Sequence, residues 1–429
     1  MTTKPKNVCI VVLGDIGRSP RMQYHSLSLA EHGHIVDVVG YGESDLHASL
    51  KSEPLLSYHY IAPYPSIPLP RFLNYILKTI WQAFTLLFVL LIIRKPDKLI
   101  VQNPPAVPSL LVCWFYSIII RANLIIDWHN YAYTIMALNV GPDNILVKLT
   151  KSIERFVGQR ASANFCVTNA MKNNLEETWS IRATTLYDRP PEMFHPISLQ
   201  DKHDILMKLS EQYQELWSEN GTVFTRIEAG NVILKDERPG LLISSTSWTE
   251  DEDFSILLQA LQEYEDTYEM GNINNLPSLI CIITGKGPLK DFYCKKIAMC
   301  KWKHITVITP WLESADYPKL LACADLGVCL HTSSSGYDLP MKVVDMFGCG
   351  IPVCAYDFKC LNELVHHEIN GFIFKDLIEL SKQLQNWFAF FPKNKERNIQ
   401  KEKFIKELEI FQNERWRENW NRVALEYFN

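Results

Sequence analysis

Short apolar runs, closed by glycine or small polar residues, alternate along this chain with longer stretches of helical periodicity. Residues 8–13 are uninterruptedly apolar, which predicts a strand buried on both faces of a parallel sheet. The loop Gly14-Asp15-Ile16-Gly17-Arg18 follows. Ser19 is placed to cap a helix that opens at Pro20, and Gly33 to close it after Glu31 and His32. Residues 35–39 form a second apolar strand. Strand, glycine loop, helix and strand within about forty residues make a βαβ unit. The order of elements carries that inference more than the two glycines do.

The pattern recurs. Strands are predicted at 99–101, 124–126 and 164–167, with a helix over 145–160. A second set of strands is predicted at 241–244, 279–283, 305–308, 326–330 and 352–354, with helices between them. Between the two sets, the stretch 193–239 is polar, irregular and rich in Glu, Gln and Lys, as expected of an interdomain connection with an insertion. The expected fold is α/β, with two Rossmann-like doubly wound domains facing a central cleft. Their spans are 1–192 and 240–400, joined by 193–239. A charged terminal segment, 401–429, carries Trp416 and Trp420 at helical spacing and is expected to pack back across a domain surface. No fixed-period repeat or low-complexity tract is present.

Composition narrows the function classes. A length of 429 residues suits two domains rather than one core. A hydrophobic fraction of 47% with 21% charged residues is globular, and a net charge of -5 argues against a nucleic-acid partner. Eleven cysteines lie without metal-ligand or redox spacing; the closest pairs are Cys294 with Cys300 and Cys349 with Cys354. They read as reduced, buried thiols of a cytosolic compartment. Lys4 and Lys6 precede the first apolar run, but Gly14 and Asp15 end it too soon for a secretory signal. Residues 72–93 are apolar enough to span a bilayer, interrupted by Asn74, Lys78, Thr79 and Gln82. A crossing would separate strands 35–39 and 99–101 of one sheet. The consistent expectation is a helix lying in the membrane interface or dipping into one leaflet, with Lys78, Arg94 and Lys95 towards the headgroups. The shorter apolar run, 110–120, is expected to be a core helix.

The densest candidate chemistry lies between His331 and Pro352. A strand ends at His331; Ser333, Ser334, Ser335 and Gly336 follow, then Asp338, and a helix begins near Leu339–Pro340. Backbone N–H groups of such a loop and helix start can cradle a diphosphate. Lys342 in the first turn adds a cation where the helix dipole already favours anions, a placement that opposes helix stability and suggests a ligand role. Asp345, three residues on, shares its face and could accept bonds from ribose hydroxyls.

This segment, with Gly348-Cys-Gly-Ile-Pro-Val353 and Glu363-Leu-Val-His-His-Glu-Ile-Asn-Gly371 beyond it, resembles the donor-binding half of GT-B glycosyltransferases. More narrowly, the chain is similar to the chitobiosyldiphosphodolichol beta-mannosyltransferase family. That likeness runs through Gly14 to His25, Gln102-Asn-Pro-Pro105, Asp127-Trp-His-Asn-Tyr131, Cys166-Val-Thr-Asn-Ala-Met171, Ser244 to Phe254, and Thr284-Gly-Lys-Gly-Pro-Leu289. It implies GDP-mannose as donor, with no tightly bound cofactor, and GlcNAc2-diphosphodolichol as acceptor. It also implies an inverting β-1,4 transfer in N-glycan precursor assembly, on the cytosolic face of the endoplasmic reticulum membrane. The first domain would then contact acceptor and membrane, the second would bind the donor nucleotide, and other mannosyltransferases of the pathway would be partners. There are two departures. The family usually carries an apolar anchor before its first strand, whereas seven residues precede Val8 here. Many GT-B enzymes also have two glutamates with seven residues between them; Asp345 holds the second place and Tyr337 the first. Either Asp338 makes the sugar contact or that motif does not transfer.

The remaining constellations follow from their placement. Gly14 and Gly17 permit close backbone approach or simply a tight turn, and Arg18 offers a fork for phosphate oxygens. His129 stands just past strand 124–126, at the carboxyl edge where open α/β sheets bind ligands. An inverting transfer needs one base; Asp15, Asp127 and His129 are the candidates, with a satisfied core histidine as the alternative for His129. Thr246 and Ser247 end the second domain's first strand, where hydroxyls and N–H groups could hold phosphate. Glu250-Asp-Glu-Asp253 reads as the acidic first turn of a helix rather than a metal site. Lys286 between two glycines is a diphosphate cation or a solvated lysine. Cations and backbone dipoles suffice to stabilise a leaving diphosphate, so no metal is required. Competing functions are a retaining transferase with a soluble acceptor, a nucleotide-sugar epimerase, and a non-catalytic GT-B-like subunit that binds a partner enzyme. The apolar stretch 72–93 counts against the first two, and the set Lys286, Lys342 and Asp345 against the last.

Overall fold

A computed structural model describes residues 4–46, 48–65, 68–249, 252–271 and 275–429. The chain divides into two compact units. The first comprises Met1–Asp188, Ser334–Asp338 and Trp416–Asn429; the second comprises Arg189–Ser333 and Leu339–Arg415.

The first unit holds a seven-stranded parallel sheet of β1 (Asn7–Asp15), β2 (Ile35–Tyr41), β3 (Leu56–Tyr60), β4 (Lys98–Asn103), β5 (Asn123–Trp128), β6 (Ala163–Cys166) and β7 (Thr184–Thr185). Their order is β3-β2-β1-β4-β5-β6-β7. Alternation along β1 splits its side chains between two cores. Cys9, Val11 and Leu13 enter the cluster with Leu86, Leu90 and Leu110, whereas Val8, Ile10 and Val12 enter the cluster with Trp416, Trp420 and Phe428. Both faces are therefore covered, as the unbroken apolar run requires. The terminal helix Trp416–Val423 lies against helix Pro20–Glu31, with the Trp416 indole donating to Ser28 Oγ at 3.1 Å.

In the second unit a six-stranded parallel sheet comprises β12 (Gly240–Ser245), β13 (Leu279–Thr284), β14 (Ile305–Ile308), β15 (Leu326–Cys329), β16 (Val353–Tyr356) and β17 (Gly371–Phe374). Its order is β14-β13-β12-β15-β16-β17. Segment 193–239, expected to be irregular, is built. It contains helix Leu199–Ser210 and a four-stranded antiparallel sheet of β8 (Trp217–Ser218), β9 (Gly221–Thr222), β10 (Thr225–Glu228) and β11 (Asn231–Leu234). Ala229 and Gly230 both take positive φ, the geometry of a two-residue hairpin turn between β10 and β11. Strands of two to four residues leave almost no alternation to read.

Strand order reverses direction between β1 and β4 in one sheet, and between β12 and β15 in the other. Such reversals open a crevice at the carboxyl ends of the strands. The loops that begin at Asp15, Asn103, Thr246 and Leu330 leave those strand ends, so most of the expected chemistry is set at the two crevices.

Among the described residues, one helix, Arg71–Ile92, is long and apolar enough to cross a bilayer. Of its described residues only Leu86, Val89 and Leu90 are buried, while Phe72, Phe84 and Leu91 are each at least 60% exposed. Helix Ser109–Ile120, expected in the core, buries Leu110, Cys113 and Tyr116 but leaves Phe115, Ile118 and Ile119 more than half exposed. Its sequence is apolar on every side, so periodicity alone could not separate the covered stripe from the open one.

Candidate functional site

In the first unit, a buried ionic cluster forms at the carboxyl end of β5. Asp127 is fully buried and receives Arg21 bidentately, Nε to Oδ2 at 2.8 Å and Nη2 to Oδ1 at 2.9 Å. Arg21, itself 2% exposed, also donates through Nη1 to the Leu186 carbonyl and to Asp188, each at 2.8 Å. Two imidazoles complete the shell: His25 Nε2 at 3.2 Å and His129 Nε2 at 2.8 Å from Asp127 Oδ2. Burial alone would raise the Asp127 carboxyl, but Arg21, then His129 and the two imidazole hydrogen bonds, hold it well below its ordinary value. Burial, by contrast, pushes His25 down, so that ring is neutral. Because the Trp420 indole donates to His25 Nδ1 at 3.0 Å, the His25 proton sits on Nε2 and points at Asp127.

The same logic assigns His129. An ionised Asp127 can only accept, so Nε2 of His129 carries a proton, and in the neutral ring the lone pair is on Nδ1. The ring is 22% exposed, whereas Asp127 is sealed. Of the three candidate bases, His129 is thus the partly exposed one, and its hydrogen bond to Asp127 fixes its orientation. Asp15 is occupied differently. Its Oδ1 accepts from the N–H groups of Gly17, Glu43 and Ser44, each at 3.2 Å, while Oδ2 is buried without a hydrogen bond among the described residues. Burial opposes the shift, yet the Ser44 hydroxyl first and then these three N–H groups lower its carboxyl. Gly17 is required by the Ser44 backbone, which a Cβ would meet at 2.8 Å; a Cβ on Gly14 would make only an ordinary contact, with Val12 at 3.9 Å. The Arg18 side chain is 73% exposed, with Nε 3.7 Å from Asp15 Oδ2.

Part of the serine-rich loop belongs to this unit. Asn130 Nδ2 donates to Ser334 Oγ at 3.2 Å and to Asp338 Oδ1 at 2.9 Å, and Thr168 Oγ1 donates to the Tyr337 carbonyl at 2.6 Å. Gly336 supplies positive φ within that turn, and the Ser335 hydroxyl accepts from the Tyr337 N–H at 3.2 Å.

In the second unit, Glu252 organises the expected phosphate-binding residues. Its carboxylate is 2% exposed, accepts from Thr246 Oγ1 and from the Ser247 N–H at 2.9 Å, and pairs with Lys342 Nζ. Lys342 lies in the first turn of helix Met341–Gly348, where a cation alone opposes the dipole; Glu252 supplies the missing negative charge. Gly285 and Gly287 hold the neighbouring loop against this one, where a Cβ on either would lie under 2 Å from the carbonyls of Thr246 and Ser247. Between them Lys286 places Nζ 3.4 Å from the Trp311 ring centroid, a cation–π contact. Asp345, on the same helix as Lys342, contributes with burial to the raised Tyr317 hydroxyl, burial being the larger cause. Ser333 also lies in this unit, whereas Ser334, Ser335, Gly336 and Asp338 lie in the first.

Of the acidic run, Asp253 caps helix Phe254–Glu269 and Glu252 holds Lys342; Glu250 and Asp251 lie outside the described residues. Glu265, Glu269 and His304 also gather, but before β14, at the amino edge of the sheet. Glu265 there accepts the N–H groups of Lys303 and His304.

The family model for glycosyl transferases group 1 matches residues 226–403. Chitobiosyldiphosphodolichol beta-mannosyltransferase of Homo sapiens is 47% identical over 98% of this chain and 92% of its own length. The Pongo abelii protein of that name is 48% identical with the same coverage. The chain belongs to the chitobiosyldiphosphodolichol beta-mannosyltransferase family. This member of the family is accordingly a glycosyltransferase. Its fold is GT-B: the crystal structure of Anabaena Alr3699/HepE in complex with UDP aligns with a TM-score of 0.62 at 15% identity, covering 98% of this chain and all of that one.

Sequence reasoning had not singled out Arg21, His25, Asn130 or Glu252. Arg21, His25 and Ser28 recur at four and three residues along the helix face that must bury against the sheet. Polar residues on a buried stripe need partners, and that signal could have found the pair with Asp127.

Proposed function

We propose that this chain transfers mannose from GDP-mannose to GlcNAc2-diphosphodolichol with inversion, forming a β-1,4 linkage during N-glycan precursor assembly. His129 is the base. Its Nδ1 takes the proton of the attacking sugar hydroxyl as that oxygen bonds to C1 of mannose, and the C1–O bond to the diphosphate breaks on the opposite face. Asp127 fixes the tautomer and balances the imidazolium that forms, without itself accepting a proton. The leaving diphosphate is held by Lys342, Lys286, the Thr246–Ser247 turn and the N-terminus of helix Met341–Gly348. The observation that carries this assignment is the pairing of His129 with a sealed, charge-locked Asp127 at the carboxyl edge of β5.

A dolichol-linked acceptor also demands a lipid surface, and helix Arg71–Ile92 offers one. Across that helix and Ser109–Ile120, Ala132–Val140 and Ile145–Gly158, the only acidic residue is Glu154, which is buried. Lys78, Lys148, Lys151 and Arg155 lie on the same four helices. Apolar side chains with cations and without exposed carboxylates suit an interface rich in anionic headgroups. We place the catalytic units on the cytosolic face of the endoplasmic reticulum membrane, within reach of other mannosyltransferases of the pathway.

The test incubates purified protein in detergent with labelled GDP-mannose and phytanyl-diphosphate chitobiose. A trisaccharide lipid whose new linkage is cleaved by β-mannosidase is expected. Bound donor with no such product would overturn the proposal in favour of a binding subunit.

A further inference from the structure

Beside the apolar helices lies a cavity of about 610 Å³, within the first unit. Its walls come from three elements: Pro105 and Val107 after β4, Met136 on helix Ala132–Val140, and Leu146 on helix Ile145–Gly158. Phe72 and Tyr75, from the first turns of the exposed helix Arg71–Ile92, form the rim. Both rim residues are exposed, so the opening is continuous with the face that we assign to the bilayer. Among the described residues, no charged side chain lines it.

The inner end is set by the chemistry already described. Pro104 and Pro105 follow Asn103, whose carbonyl accepts the His129 N–H at 2.8 Å. Ala132, also on the wall, stands three residues past His129, and its N–H donates to Glu154 at 2.7 Å. One end of this apolar chamber is thus backbone-bonded to the loop of the proposed base, while the other opens among lipid-facing rings.

We propose that the cavity receives the isoprene units nearest the diphosphate of the acceptor lipid, drawn out of the bilayer past Phe72 and Tyr75. This rests on the mannosyl-transfer reading above and names how its acceptor is held. Branched polyprenyl chains suit an irregular apolar chamber, and seating the first units there fixes the distance between lipid and sugar. The chitobiose is then presented to His129 Nδ1 rather than left mobile above the membrane.

The experiment uses the full chain in detergent and a benzophenone-tagged geranyl diphosphate. Photolysis should label peptides containing residues 104–107 or 132–140, with farnesyl diphosphate displacing the probe and inorganic diphosphate failing to do so. Met136→Trp and Leu146→Trp fill the cavity from two different helices. Each should reduce labelling about tenfold and shift the kcat/KM preference for a phytanyl over a methyl diphosphate chitobiose by a similar factor. Labelling elsewhere, labelling that survives both variants, or displacement by phospholipid as effective as that by farnesyl diphosphate would overturn the proposal. If either variant unfolds, the map of wild-type labelling decides. Should wild-type protein label in the cavity yet turn over neither acceptor, the transferase reading fails while the polyprenyl site stands.

Discussion

Replacing Arg21 by Met removes the cation from a carboxylate with no exposed surface. Methionine fills much of the space of the arginine stem, so the loss is electrostatic more than steric. Four donated hydrogen bonds disappear, two to Asp127 and one each to Asp188 and Leu186. Breaking a buried pair from one side costs roughly 3–5 kcal/mol, mostly the penalty of the charge left behind. The signature of that mechanism is in its pH dependence. In the wild type the Asp127 carboxyl is depressed, so its stabilising contribution is present above the unfolded value of about 4 and is lost as pH falls through the folded value. Without Arg21, burial dominates and raises the same carboxyl, so stability should now improve as pH is lowered from 8 towards about 5. Chemical unfolding followed by tryptophan fluorescence at several pH values reads both effects. Arg21→Met/Asp127→Asn should recover at least about 1 kcal/mol relative to the sum of the single losses. A loss under about 1 kcal/mol for Arg21→Met, or strictly additive single losses, would refute the idea that this pair is a sealed electrostatic unit.

Other consequences are directly measurable. His129→Ala should lower kcat by a factor of about 10² to 10⁴ while leaving GDP-mannose affinity within about threefold; matched losses in both would remove His129 from proton transfer. Lys342→Ala should weaken donor binding about tenfold, read by calorimetry, through loss of a charge-assisted phosphate contact. Unchanged affinity in a folded variant would exclude that lysine from the donor site. Burial pushes Glu154 up to about 7 from 4.5 despite bonds from Asn103, Ala132 and Tyr133. Its stabilising contribution is therefore complete below about 4.5 and declines by roughly 3 kcal/mol as pH rises through about 7. Glu154→Gln should flatten that slope in thermal unfolding between pH 5 and 8, and an unchanged slope would assign it to another group.

Much of the fold was legible because parallel strands buried on both faces write themselves as apolar runs. Runs 8–13, 35–39, 241–244 and 279–283 lie within observed strands. Turn chemistry was equally readable: Pro20 opens a helix and Gly33 takes positive φ just past its end. Segment 193–239 escaped because β8 and β9 are two residues long and mostly polar. The site was readable where chemistry follows strand ends, as at His129 and Thr246. It was not where partners are remote in sequence, since Glu252 and Lys342 are ninety positions apart and Arg21 and Asp127 more than a hundred. Reading Glu252 as one of several first-turn acids concealed its role, because local helix rules explain such a residue without asking what faces it.

The return of the segment Trp416–Asn429 to the first unit bears on how the protein is made. Trp416, Trp420 and Phe428 are nearly or fully buried on the face of Val8, Ile10 and Val12, strand residues synthesised some four hundred positions earlier. A ribosome-bound intermediate therefore carries that flank of its earliest sheet with helix Pro20–Glu31 in place but without its outer aromatic cover throughout the translation of the whole second unit. A premature stop anywhere before residue 416 would release a chain whose first core lacked Trp416, Trp420 and Phe428 and so left part of its apolar surface exposed.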